Sequence, residues 1–427
     1  MTKVPEQLPE HSPVGASGAY RWMDNCPRSV ALAQGVIQEE SEYAAEGVIQ
    51  EESEYAAEGT AAHFVAEACL QHSYDAWECM DSCVVDGDYL FDSADTEAYV
   101  EQNGDVTVHE VTKEMADAVQ VYLDAVRSAC PDRNQGNFFI EKEFYCPSIH
   151  KFFYGKSDTV FIDFPNRVLR IFDYKHGAGM PVEVEDNPQN KYYGVGALED
   201  LDLWDKVDTV EMYIVQPRYK HFHGPVRSWS IGVAELEDWL EDELVPAMNR
   251  AIAGSDKMSS GEHCRFCDVR FYACPQIQKD LDELEKLMKI VDKEDDAKKL
   301  TNAQVGRMLD LNEVAKIAIK AAQTTAFRRL SAGQKIPGRK LVHTKSNRAW
   351  KDGAEKALKK EFGSKAYAPD KLKSPAVVEK MAGGKAMAVR WSAKTAGPLS
   401  VAPADDNRRE VSRDTKSMFK PVKKGKK

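Results

Sequence analysis

Apolar residues recur at helical spacing from Thr112 to Cys130, where Met115, Val119, Tyr122, Leu123 and Val126 fall on one stripe. The period then shortens to that of strands: Phe138–Tyr145, Phe152–Phe164 and Val168–Asp173, with Pro165-Asn166 turning the chain between the last two. Gln189–Leu201 reads as a helix started near Pro188, followed by strands at Val210–Val215 and Trp229–Val233. Val233–Ala253 is a long acidic helix, interrupted or tightened near Pro246. Helices are predicted again over Gln276–Lys289, Asn302–Leu309 and Asn312–Leu330. Pro337-Gly338 breaks the chain, Lys340–His343 reads as a short strand and Trp350–Phe362 as a helix. Near the N-terminus, Ser17 caps a short helix to Ala33 with Tyr20, Trp22 and Val30 as its apolar contacts, and Thr60 caps a second helix through Glu67. Asp75–Glu110 is acidic and shows no clear period.

Charge divides this pattern. Residues 331–427 carry 25 Lys and Arg against 9 Asp and Glu, whereas the first 330 residues carry 32 against 60. The basic end is either a solubilising surface or a handle for a polyanion, since a field of Lys and Arg raises the local concentration of nucleic acid. Val401–Lys427, rich in Pro, Lys and Arg, is expected to be disordered. Val36–Gly47 is repeated letter for letter at Val48–Gly59; a single 12-residue copy is a tolerated surface duplication and carries no chemistry. No stretch is apolar for long enough to span a bilayer and no basic-then-apolar leader is present, so a cytoplasmic protein without membrane association is expected.

Chemistry concentrates between Gly155 and Tyr193. In Asp173-Tyr-Lys175 the strand period puts Asp173 and Lys175 on one face and Tyr174 on the other, with His176 on the face opposite Lys175. Asp158, in Gly155-Lys-Ser-Asp158, lies on the preceding strand. Two neighbouring carboxylates repel unless a cation sits between them, and hard oxygen ligands favour Mg²⁺ or Mn²⁺. Such an ion acidifies its water, and Lys175 then positions that water or stabilises charge on a phosphoryl group. Taken alone, Asp-x-Lys is equally an ordinary exposed strand edge. Gln189 and Tyr193 lie four apart on one helix face, suited to phosphate or backbone contacts, whereas Tyr192 reads as core. His63, beside small Ala61 and Ala62, offers a nitrogen that biases the site towards Mn²⁺. Glu67, one turn after His63, is either a partner behind it or ordinary surface charge. Glu141 and Glu143 share a face of the strand before Asp158, where either could look into the site although solvent-facing charge is the readier role, and Asp163 reads as a turn residue.

The spacing Cys264-x-x-Cys267-x6-Cys274-Pro275 places three thiols within eleven residues, one short of a closed metal site. Cys26-Pro27 is the natural fourth, although His263 would instead give a zinc site. With no second C-x-x-C following, a [4Fe–4S] cluster fits better than zinc, in a structural role that joins Cys26 to Cys264–Cys274. Cys69, Cys79, Cys83, Cys130 and Cys146 read as small buried or surface residues, with Cys79 and Cys83 able to share a helix face.

In combination these motifs resemble the PD-(D/E)XK nuclease superfamily, in the RecB-like branch with an iron–sulfur cluster that includes AddB-type helicase–nucleases and the CRISPR adaptation nucleases. They are similar, too, to a phage-encoded family with the same motif order. Glu58-Gly-Thr-Ala-Ala-His63, Gly155-Lys-Ser-Asp158, Asp173-Tyr-Lys175 and Gln189-x-x-x-Tyr193 match the four motifs, and Cys26, Cys264, Cys267 and Cys274 match the cluster ligands. The match covers about residues 15–280. It implies an α/β fold with a central mixed sheet flanked by helices, closed by the cluster. It also implies a Mg²⁺ or Mn²⁺ ion held by His63, Asp158, Asp173 and the Tyr174 carbonyl, with Lys175 catalytic. The implied activity is DNA hydrolysis, exonucleolytic and on single strands or ends, within a bacterial host cytoplasm. No G-x-x-x-x-G-K-[ST] loop is present, so a helicase, recombinase or single-strand-binding partner would be a separate chain. The helical, basic extension over 281–400 offers Arg339, Lys340, Lys345 and Arg348 to DNA, with Trp350 to stack on a base. The rival expectation is an accessory protein that binds single strands, or serves replication or packaging, with little cleavage.

Overall fold

A computed structural model describes residues 5, 8–34, 54–104, 106–267, 269, 274–291, 299–343, 348–350, 353–368, 371–381, 384–394 and 399–403. By compactness the chain divides into two units, Met1–Val314 and Ala315–Lys427.

In the first unit, α1 (Glu54–His72) leads into a small antiparallel sheet of β1 (Cys83–Val85), β2 (Tyr89–Phe91) and β3 (Val108–Glu110), with α2 (Ser93–Asn103) between the last two strands. This sheet occupies the stretch in which no period was legible. α3 (Lys113–Ala129) follows, with Thr112 as its N-cap accepting from the Met115 amide. The main sheet then forms from β4 (Phe138–Tyr145), β5 (Tyr154–Asp163) and β6 (Val168–Tyr174), and after α4 (Pro188–Asp200) from β7 (Thr209–Val215) and β8 (Val226–Gly232). Its order is β4-β5-β6-β7-β8, antiparallel throughout except for the parallel β6–β7 pair that α4 connects. The fold is therefore α/β with a mixed sheet flanked by helices.

The two faces of the sheet bury different elements. Val160, Ile162, Leu169, Ile171, Val210 and Met212 pack with Tyr192, Val195 and Leu198 of α4 and with the N-terminal segment around Trp22. Phe161, Phe172, Tyr174 and Val215 pack against α1 and α3, including the predicted stripe Met115, Val119, Tyr122, Leu123 and Val126. Tyr192 is core, as expected, stacked on Phe153 at 4.2 Å between ring centroids. A Cβ on Gly196 would overlap the Phe144 ring, so this glycine sets how closely α4 approaches the sheet.

Several boundaries differ from the sequence reading. Thr60 does not start α1 but lies within it, its hydroxyl donating back to the Ala56 carbonyl. The expected helix from Ser17 to Ala33 is a 3-10 turn and a π-helical turn over Arg21–Asn25, interrupted at Cys26-Pro27 and resumed as α-helix over 28–34. Between α5 (Val233–Trp239) and α6 (Val245–Ile252) the chain widens into a π-helical turn, Leu240–Leu244, rather than tightening. α7 spans Pro275–Ile290, and the two helices expected over 302–330 are one, α8 (Asn302–Ser331). The duplicated segment lies outside the described residues apart from 54–59, which open α1.

The second unit holds β9 (Arg339–His343), β10 (Arg348–Trp350), α9 (Ala354–Phe362), β11 (Tyr367–Ala368), β12 (Lys371–Leu372), α10 (Pro375–Val378), α11 (Gly384–Trp391), β13 (Ser392–Lys394) and β14 (Leu399–Pro403). Ala354, Leu358, Ala366 and Val378 form its small core. β9 pairs with β14, so the tail expected to be disordered from residue 401 contributes a strand up to Pro403; residues 404–427 lie outside the described residues. Trp350 belongs to a strand rather than to the expected helix. Among the described residues no helix is long and apolar enough to cross a membrane.

Candidate metal centre

β4 and β5 lose their alternation where the site forms. Ile140 pairs with Thr159 and Lys142 with Ser157, which sets Glu141 opposite Asp158 across the ladder. Glu141 is in the left-handed region, at φ 48°. Phe139 and Val160 lie on the α4 side of the sheet, and so do Lys142, which pairs with Asp200 of α4, and Gly155, whose Cβ position meets Phe144 and Tyr192. Thr159, by contrast, accepts from the Tyr122 hydroxyl of α3 on the other side. Strict alternation would put residues 139 and 142, or 157 and 160, on opposite faces; the twist at Glu141 resets the count. Glu141 and Asp158 are thereby turned towards α1.

There α1 presents His63. Ala61 and Ala62 beside it are fully buried, and their small side chains bring the helix close to the sheet. The His63 ring meets the Tyr174 ring edge-on at 5.2 Å, and its Nδ1 lies 3.6 Å from Asp158 Oδ2. One ligand atom each from His63, Glu141 and Asp158 lie within 4.8 Å of one another. Glu141 also pairs with Lys156 at 2.7 Å, so of the two roles left open for it the structure favours the one facing the site over solvent. Glu67 stays out of the group and accepts from Gln71. Asp163 does brace the β5–β6 turn, accepting from Asn166, and adds an ion pair to Arg170.

At the end of β6, Asp173 is 2 % exposed and its Oδ2 lies 2.9 Å from Lys175 Nζ. Lys175 donates to Gln189 Oε1 at 3.1 Å, and Gln189 Nε2 donates to the Tyr193 hydroxyl at 3.0 Å. The Asn187 side chain caps α4 by accepting from the Gln189 and Asn190 amides, which fixes the turn that carries Gln189. The structure thus brings Asp173, Lys175, Gln189 and Tyr193 into one connected row. Tyr174 donates its amide to Asp158 Oδ2 at 2.7 Å.

Tyr174 and His176 point away from Lys175, the arrangement expected for His176. The Tyr174 hydroxyl meets His176 Nδ1 at 2.9 Å, and Arg218 lies 2.6 Å from His176 Nε2. Arg218 also donates to Glu58 at 2.9 Å and pairs with Glu114 at 3.2 Å. Sequence reading missed Arg218, because nothing in the spacing joins a loop after β7 to a residue at the start of α1.

The electrostatics of the site oppose its own charges. Burial pushes the Asp158 carboxyl up to about 6, against the Tyr174 amide, Lys175 and Lys156. Burial raises Asp173 to about 6 as well, with Lys175 opposing and Asp158 adding to the rise. Glu141 is raised by burial and then by Asp158, and burial lowers His63, which favours the neutral ligand form. A divalent cation bound here would offset the buried negative charge. Because protons compete for the same carboxylates, Mn²⁺ affinity should fall steeply between about pH 7 and about pH 5. Glu141→Gln should weaken Mn²⁺ about 10- to 100-fold at neutral pH. Isothermal titration calorimetry checks both; an unchanged affinity would remove Glu141 from the ligand set.

Cys26 and Cys264–Cys274 come from opposite ends of the first unit. Arg21 donates to the Phe266 carbonyl at 2.6 Å, Ser259 to the Asn25 carbonyl at 2.6 Å, and Arg28 to the Gly254 carbonyl at 2.8 Å. Burial pushes Cys264 up to about 11, with the charges of Cys267, Cys26 and Cys274 adding to the rise. Among the described residues, no three of these sulfurs lie within 4.8 Å of one another. His263 Nε2 is engaged by the Ser259 carbonyl at 3.0 Å. Cys69 and Cys79 approach to 3.6 Å, while Cys83 lies on β1, so the helix face expected for Cys79 and Cys83 does not exist.

Residues 11–409 match the model of a family described as "Protein of unknown function (DUF2800)". The matched region takes in the five-stranded sheet, His63, Glu141, Asp158, Asp173 and Lys175, the cysteines Cys26, Cys264, Cys267 and Cys274, and β14. With that coverage, the chain belongs to the DUF2800 family.

Proposed function

We propose that this protein is a Mg²⁺- or Mn²⁺-dependent deoxyribonuclease of the RecB-like PD-(D/E)XK type, stabilised by an iron–sulfur cluster and acting in phage replication, recombination or end processing. The observation that carries the reading is the convergence of His63, Glu141 and Asp158 within 4.8 Å, beside the buried Asp173–Lys175 pair. When bound, a divalent ion supplies an acidified water and neutralises charge on the phosphate. His63, Glu141, Asp158 and Asp173 hold it, with the Tyr174 carbonyl as a further ligand implied by the resemblance. Lys175 keeps an ammonium over the same space and stabilises negative charge developing on the scissile phosphate. Gln189, backed by Tyr193, fixes the lysine rotamer at 3.1 Å, so the ammonium does not swing to solvent.

In this reading Cys26, Cys264, Cys267 and Cys274 hold a [4Fe–4S] cluster that ties the ends of the nuclease unit, and any unwinding partner is a separate chain. Arg339 and Lys340 on β9 remain candidates for DNA contact; Lys345 lies outside the described residues, as do the side chains of Arg348 and Trp350. The test is anaerobic incubation of end-labelled single- and double-stranded DNA with Mn²⁺ or Mg²⁺. Lys175→Ala should slow cleavage about 10²- to 10³-fold. Equal degradation by the native chain and the variant would overturn the site. No degradation by the native chain would point to a binding role.

A further inference from the structure

The loop between β7 and β8 is unlike the rest of the acidic first unit. It reads Arg218-Tyr-Lys-His-Phe-His223, three aromatic or imidazole rings interleaved with basic groups and ending in a further histidine. Phe222 at its tip is 94 % exposed. A single exposed aromatic is common on protein surfaces. Phe222 differs in how firmly its loop is held. His221 is tied through Nε2 to Glu183 at 3.2 Å, its Nδ1 accepts from the His223 amide at 3.1 Å, and its carbonyl accepts from Gly224 at 3.1 Å. The Phe222 ring stands edge-on to His223 at 5.0 Å, and His221 lies 5.6 Å from His223. The result is a cross-braced run of rings with the outermost one bare, and exposed Lys220 two residues before it in the same loop.

Its position is set by the strand directions. β7 runs parallel to β6, with Val215 beside Tyr174 and the Lys175 amide donating to the Val215 carbonyl at 2.9 Å. The loop therefore leaves the sheet at the end that carries Asp173 and Lys175. Gln216 and Arg218 root it there: Gln216 Nε2 donates to the Gly177 and Met180 carbonyls, and Arg218 reaches Glu58 and His176.

We propose that this loop is a stacking platform for unpaired bases, with Phe222 as the stacking ring and Lys220 contacting the adjoining phosphate. A flat bare ring next to a cation matches single-stranded nucleic acid, whose bases offer π-faces and whose backbone is anionic. Paired bases are already stacked and give Phe222 nothing to cover. The proposal rests on the nuclease reading and assigns base stacking on unpaired strands to a named ring outside the acidic site.

Binding of the full chain is measured by fluorescence anisotropy without divalent cations, so no cleavage is needed. The probes are a single-stranded oligodeoxynucleotide, an abasic strand of the same length and a blunt duplex. Phe222→Ala should weaken the base-bearing strand about 5- to 100-fold and leave the abasic strand and duplex unchanged. Phe222→Trp should restore binding, and the melting temperature should not move, because the ring is exposed. Equal affinity of native and Phe222→Ala chains for the base-bearing strand would overturn the proposal. So would native protein with no preference for that strand over the abasic one. A native chain that shows the preference yet cuts no DNA overturns the nuclease reading alone; one that cuts DNA while Phe222→Ala binds normally overturns the platform alone.

Discussion

Asp173→Asn should abolish metal-dependent cleavage and, at neutral pH without metal, make the protein more stable. Both effects follow from burial. Asp173 is 2 % exposed and its carboxyl is pushed up to about 6. A carboxylate raised from the ordinary 3.8 to about 6 contributes stability that is fully present below about pH 4 and lost as the pH rises through about 6. At neutral pH the native chain bears that cost, and a neutral amide of the same shape removes it. The gain is about 1 to 3 kcal/mol, smaller where the lost Lys175 ion pair offsets it, which is a few degrees in melting temperature. Manganese should reverse the order, because saturating metal stabilises only the chain that binds it, by about 3 kcal/mol at a hundredfold excess over Kd. Melting curves with and without Mn²⁺ at two pH values, alongside a DNA cleavage assay, check the prediction. A variant less stable than the native chain in the absence of metal would show that Asp173 is held by its partners rather than strained against them.

Cys26→Ser should cost the anaerobically isolated protein its visible charge-transfer colour and lower its melting temperature by about 10 °C or more. Linking Cys26 to Cys264 closes a loop of over two hundred residues. On the chain-entropy account, a cross-link over about 100 residues contributes about 5 kcal/mol, and each kcal/mol moves a melting point of this size by about 2–4 °C. The hydrogen bonds from Arg21, Arg28 and Ser259 persist in the variant, so the two ends loosen without separating fully. Cys83→Ser, on β1, should change neither property. A colourless native protein, or equal melting of native and Cys26→Ser chains, would remove the cluster from the proposal.

Elements that obey one period were legible in the sequence. The stripe on α3 and the strands β5 to β7 lie within a few residues of where alternation placed them, and Gln189 and Tyr193 share a face because α4 is regular. For Glu141 the sequence left two roles open, solvent or site, because a left-handed residue resets the alternation and a count by twos does not choose between them. The Arg218 brace was invisible because it joins residues 160 positions apart in sequence. β1, β2 and β3 are three residues each, too short for a periodic signal amid acidic loops. In the second unit, β14 was hidden by the Pro and Lys composition that surrounds it, although its pairing with β9 needs only five residues.

The parallel pairing of β6 and β7 also orders events in time. A chain still being synthesised, and released only as far as Asp200, already contains His63, Glu141, Asp158, Asp173, Lys175, Gln189 and Tyr193. Yet β6 then has a single neighbour, and the Lys175 amide has no Val215 carbonyl to meet. A hairpin could form at once, but a parallel partner must wait for the whole crossover helix to emerge. The Lys175 backbone is therefore anchored only after His63, Glu141, Asp158 and Asp173 have all emerged, and a product truncated before Val215 holds these side chains without the strand that fixes the end of β6.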